Sequence, residues 1–245
     1  MMRTPLLFTA MTLLLGVHAL QAQETTTSEK RRGGSGSFNI GMQFIDVAPL
    51  NDVIEPAGYE ALSSGNIQIG GGGRFYLGSV MLGLKGAFVG QSAVERDDYR
   101  LNFGGGNIIF TGGYNVLDRD RWLLYPALGV GLAGMGIEQR PLREGTDFND
   151  VIQDPDDYPD EPTSINSGSG LLELALHTDY FLDGDQEAGY GLMLGASAGY
   201  RLAAEGDFFN PAGAELDNAP DFNPGGFFFT LRIGGGYHGT GDYDY

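Results

Sequence analysis

The chain has 245 residues, no Cys, and 32 Asp and Glu against 14 Lys and Arg, for a formal net charge of −18. That balance excludes nucleic acid as the natural partner and argues against attraction to an anionic membrane surface. The lack of Cys excludes disulfides and a lipid-anchored N-terminal cysteine.

Residues 1–22 (MMRTPLLFTAMTLLLGVHALQA) carry Arg3, an apolar run from Leu6 to Val17 and a Leu20-Gln21-Ala22 junction. This is the pattern of a secretory signal peptide, and the run is shorter than the roughly 20 apolar residues of a spanning helix. Residues 23–37 (QETTTSEKRRGGSGS) have no hydrophobic period and read as a flexible N-terminal segment.

From there the chain alternates with period two. Eight strands are expected, at 38–46, 66–77, 80–89, 101–116, 123–137, 169–181, 189–202 and 225–237. Each keeps one apolar face, such as Phe38, Ile40, Met42 and Phe44 in the first and Phe227, Phe229, Leu231 and Ile233 in the last. Their lengths meet or exceed the roughly 9–11 residues that a tilted strand needs to cross a bilayer. Connections alternate between longer (47–65, 90–100, 138–168, 203–224) and shorter (78–79, 117–122, 182–188), so the long loops all fall at one end. Aromatic residues on the apolar parity gather at both ends, Phe75, Tyr114 and Tyr180 near the short turns and Phe44, Phe88 and Tyr200 at the far ends. Even strand number, loop asymmetry and two aromatic girdles predict an all-β, eight-stranded antiparallel up-and-down transmembrane barrel over 38–237, with a tail at 238–245. Two residues fit poorly. Phe103 lies on the inward parity, which predicts a bulge at Gly104-Gly105-Gly106 that turns it outward. Pro126 cannot donate to a ladder and predicts a bulge near the adjacent turn.

The opposite parity collects Gln43, Gln68, Arg74, Lys85, Asn107, Glu173, His177, Asp179, Arg201 and Arg232. An eight-stranded barrel is just filled by its side chains, and buried charges must be paired. The charged members are therefore expected to form a lumenal network, structural or pore-lining, with Glu173 and Arg201 as the leading pair. Four cations against two carboxylates leave the set positive, so a path for small anions is the competing reading. The longest loop holds Asp154, Asp156, Asp157 and Asp160 among other carboxylates, a candidate for Ca²⁺ or for divalent bridges to lipopolysaccharide, without the spacing of an EF-hand. The glycine-rich stretches at 70–75 and 234–241 do not lie between a strand and a helix, so they are not phosphate loops.

The pattern of strands and loops resembles the small outer-membrane barrels of Gram-negative bacteria, the family of the OmpA membrane domain and OmpX-like proteins. The resemblance implies a monomer in the cell outer membrane, in contact with lipid and lipopolysaccharide, with no cofactor. It implies a structural or surface-binding role through the long acidic loops, with a narrow pore or transporter as the alternative. Such barrels usually end on an aromatic residue, whereas 238–245 follows Tyr237 here. Enzymes that act on lipid A also exist on small barrels, but the nearest match to their His-x-Ser pair is His177-Thr178-Asp179, and no Asp-Ser dipeptide occurs. The chain is therefore expected not to be an enzyme.

Overall fold

A computed structural model describes residues 31–90, 93–96, 99–119, 121–141, 163–182 and 190–240. The expected signal peptide, the 142–162 stretch that holds Asp154, Asp156, Asp157 and Asp160, and the last five residues lie outside them. Eight long strands form the wall: β1 (Arg31–Ile45), β2 (Gly65–Leu77), β3 (Val80–Gly90), β4 (Tyr99–Tyr114), β5 (Trp122–Pro141), β6 (Thr163–Phe181), β7 (Tyr190–Ala203) and β8 (Gly226–Thr240). Each pairs antiparallel with the next, and β8 closes on β1 from Arg31↔Thr240 to Ile45↔Gly226. Closure leaves no free edge, so backbone groups are satisfied within the wall.

The faces are inverted relative to a water-soluble barrel. Outward side chains are apolar and open, with Phe88 80 % exposed and Leu132 64 %, while Asp179, Glu173, His177 and Arg201 point inward and are 0–2 % exposed. A contiguous apolar band of this size around a closed wall is stable only in lipid. The chain is thus a transmembrane β-barrel of the kind found in outer membranes.

The short-turn end is set by local chemistry. Gly78 has φ 61°, and with Ser79 it joins the pair Leu77↔Val80 in a glycine-first hairpin turn. At the long-loop end, β4, β5 and β6 run on past the other strands, through Tyr99↔Pro141 and Gln139↔Thr163. Against their inner faces sits a cap. Helix α1 (Ala48–Ile54) buries Leu50 and Ile54, and Tyr59, Leu62, Phe208 and Phe222 join them over Val89, Leu101, Phe103 and Met135.

β5 runs on to Pro141 rather than 137 and β6 begins at Thr163 rather than 169, and four further departures from expectation bear on the wall. First, β1 begins at Arg31 rather than 38, and Gly33 to Ser37 pair on both sides, with β8 and β2. A Gly/Ser tract shows no side-chain period yet can fill a ladder through its backbone. Second, β8 continues three residues past Tyr237, to Thr240. Third, no bulge turns Phe103 outward: the register Phe103↔Ile137, Gly104↔Gly136, Gly105↔Met135 is unbroken. Phe103 points inward, 3 % exposed, with its ring edge-on to Phe222 at 5.6 Å. Its apolar side chain belongs inside because the cap makes that end of the lumen apolar. Fourth, Pro126 keeps its register with β6, between Tyr125↔His177 and Ala127↔Ala175. On its other side residues 114–116 face only 125–126, between Gly113↔Ala127 and Leu117↔Leu124, so the expected bulge near the turn is present but its extra residue belongs to the partner side. Pro126 sits in that gap, where no partner needs its missing N–H.

Within the cap, Asn51 ties the helix to the segment that follows it. Asn51 donates from Nδ2 to the Leu62 carbonyl (3.1 Å) and accepts from the Leu62 N–H (2.8 Å). Asn51→Ala removes both bonds at a cost of about 1–3 kcal/mol. It should speed proteolytic nicking within 46–64 while leaving the heat-sensitive electrophoretic mobility of the barrel unchanged.

Candidate functional site

The lumen is the candidate site, and the pleat builds it. Every second residue of each strand points inward, and the strands meet at fixed registers, so polar residues far apart in sequence converge.

Two charged layers result. In the one nearer the short turns, Asp179 of β6 is the hub. It pairs with Arg232 Nη2 (2.6 Å) and Arg74 Nη1 (3.4 Å). It also accepts hydrogen bonds from the Tyr76 hydroxyl (3.0 Å) and the Tyr125 hydroxyl. Arg232 is fixed further by the Thr178 and Ala196 carbonyls, each 3.0 Å from Nη2, and by His177 Nδ1, 2.9 Å from Nη1. His177 stacks on the Tyr125 ring at 5.2 Å with the planes 7° apart. Glycine makes room for this hub: a Cβ at Gly195 would lie 2.3 Å from Asp179 Oδ1 and 2.9 Å from Arg232 Nε.

In the second layer, Glu173 is the hub. It receives Lys85 Nζ at 2.7 Å and Arg201 Nε at 3.1 Å. Arg201 Nη1 donates to the side-chain carbonyls of Gln43 and Gln68. Those amides pass the network on, Gln68 to Thr230 Oγ1 and Gln43 to the Pro224 carbonyl, both at 2.8 Å. Phe228 lies beneath both cations, with Lys85 4.9 Å and Arg201 4.4 Å from its ring centre.

Apolar clusters close both ends. Tyr76, Met81, Leu123, Phe181 and Met193 fill the short-turn end, and the cap fills the other. Between the charged layers is one small cavity, with about 20 Å³ free to the centre of a water, lined by Arg74, Lys85, Arg232, Asn39, Asn107 and Ser197 among others.

The six charged residues singled out from the sequence, and His177 with them, all face this interior. Arg74, His177, Asp179 and Arg232 meet in one layer, and Lys85, Glu173 and Arg201 in the other. Sequence reasoning did not single out Tyr76, Tyr125 or Phe228 as members of the site, although they lie on the same inward parity. Their parity was the available signal, since aromatic rings inside a polar lumen need a polar partner for their hydroxyls or faces. Among the described residues no group of three or more His, Asp or Glu is placed to hold a metal.

No family model and no curated protein matches the chain. Among solved structures, Ail, the attachment invasion locus protein of Yersinia pestis, is 12 % identical, covering 85 % of this chain and 98 % of its own, with TM-score 0.40. A major outer membrane protein of Thermus thermophilus is 14 % identical over 84 % of this chain and 98 % of its own, also with TM-score 0.40. The outer membrane protease OmpT of Escherichia coli is 9 % identical over 88 % and 99 %, with TM-score 0.36.

Proposed function

We propose that this is an outer-membrane barrel with a plugged lumen, which acts as a structural element of the envelope and presents its capped, acidic end as an external binding surface. The observation that carries this reading is the lumen itself. Two ion-paired layers lie in series between two apolar clusters, and each charge is held by partners from other strands. Opening a path would require breaking several buried charge pairs at once, each costing about 3–5 kcal/mol when one partner is lost.

A second observation bears on the surface role. In the cap segments 46–64 and 203–225, Asp46, Asp52, Glu55, Glu60, Glu205, Asp207, Glu215, Asp217 and Asp221 are all exposed, and no Lys or Arg occurs in either segment. A surface so one-sided attracts basic partners, or lipopolysaccharide phosphates through divalent cations. Catalysis is not part of the proposal. His177 lies inside the wall, held by Arg232 and Tyr125, with no route to a lipid acyl chain.

The test is planar-bilayer recording of the purified protein. A plugged barrel gives no steady channel. Stable openings whose conductance changes in Arg232→Ala would sink the plug and install the narrow-pore reading instead. Release of acyl chains from lipid A that disappears in His177→Ala would replace both with an enzyme.

A further inference from the structure

The charges of the lumen do not balance. Among the described residues, Arg74, Lys85, Arg201 and Arg232 face only Glu173 and Asp179, an excess of two positive charges inside a wall surrounded by lipid. Charge without a counter-charge is expensive in a medium that water scarcely enters. The excess is also not spread evenly, because the cavity between the two layers collects it.

All four cations line that cavity and neither carboxylate does. Arg74 spends one nitrogen on a long 3.4 Å contact with Asp179 and is among the residues that line the cavity. Asn39 accepts from Ser37 through Oδ1 (3.0 Å), which leaves its amide N–H groups to the cavity. Asn107 Oδ1 is buried without a partner, and a half-turn of the amide would exchange that oxygen for nitrogen and set an N–H there. The Thr230 hydroxyl, which accepts from Gln68, keeps its own proton to give. Arg232 Nε is buried and unpartnered. A water molecule accepts two hydrogen bonds and donates two, and donors on this wall, four cations with the Asn39 amide and the Thr230 hydroxyl, outnumber its acceptors, Asn107 Oδ1 and the Ser197 hydroxyl. A negative ion accepts from every side.

Size narrows the class. A free volume of about 20 Å³ is little more than one water needs. That admits a monatomic ion and leaves no space for phosphate or sulfate. We infer that the lumen holds one small monovalent anion of the halide class, bound between the two charged layers by Arg74, Lys85 and the Asn39 and Asn107 amides, as a structural counter-ion of the plug.

The inference rests on the closed lumen proposed above, and its test is separate from bilayer recording. The full-length protein would be refolded into detergent in gluconate, an anion too large for the cavity, with graded bromide at constant ionic strength. Three results are expected: a saturable rise in unfolding temperature with bromide, one anomalous bromide peak between Arg74, Lys85 and Asn107 in crystals, and apparent affinity weakened about tenfold or more in Lys85→Gln. Arg100→Gln, which removes an exposed charge paired with Glu95, should leave the titration unchanged. If Lys85→Gln does not fold, Asn107→Ala removes an anion donor without touching an ion pair and should weaken binding in the same direction. A rise that bromide and gluconate produce equally, or crystals with no bromide in the cavity, would overturn the inference. Silence in the bilayer together with an empty cavity would leave the plug standing and remove only the ion.

Discussion

Asp179→Asn will cost the barrel about 3–5 kcal/mol, the range for breaking a buried ion pair from one side. The carboxylate is fully buried, and it serves Arg232, Arg74, Tyr76 and Tyr125 together. An amide of the same shape keeps one acceptor oxygen, but it cannot offset two guanidinium charges. The loss therefore exceeds that of one hydrogen bond, which is about 1 kcal/mol. The measurement is the urea midpoint of the refolded protein in micelles. A second change separates charge from packing: adding Arg232→Met should recover part of the loss, because it removes the cation left without its partner. A loss below about 0.5 kcal/mol in the single variant would mean that water, rather than Asp179, solvates these cations, and the plug would then be a wet channel.

Leu231→Arg tests the other face of the same strand and should cost about 2–4 kcal/mol in lipid vesicles. Leu231 points outward, 50 % exposed, and sits between Ile40 of β1 and Ala196 of β7 in the middle of the wall. An arginine there must lie in hydrocarbon or bend toward an interface, whereas Arg232, one residue on, is buried with polar contacts to His177, Thr178, Asp179 and Ala196. One position along the strand turns the same side chain from anchor to liability. Folding into vesicles with undiminished yield and stability would show that this face does not meet lipid. A soluble barrel would then replace the membrane one.

The cap shows how a feature can stay hidden in a sequence. Phe103 breaks the alternation of β4, and in an outer-membrane barrel an inward Phe invites a bulge as its explanation. What settles its direction is Phe222, far along the chain in the connection between β7 and β8, whose ring meets it edge-on. Nothing local to either residue announces that contact. The same is true of Gly33 to Ser37, which look like a linker because they have no apolar side chains to alternate, and which the flanking strands hold as wall on both sides.

The sequence by itself determined the architecture, the face of almost every strand residue and the membership of the lumenal charge set. It could do so because pleat parity is local: residues i and i+2 share a side whatever the strand pairs with. The loop lengths added which end is which. Only the tertiary structure decided who meets whom inside. Arg74 reaches Asp179 across 105 residues and Gln43 reaches Pro224 across 181, through the closure of the wall and the register of each ladder. A list of inward charges carries no depth along the barrel axis. Closure supplies that depth, sorts six charged residues and His177 into two layers, and leaves between them the cavity in which the unbalanced charge collects.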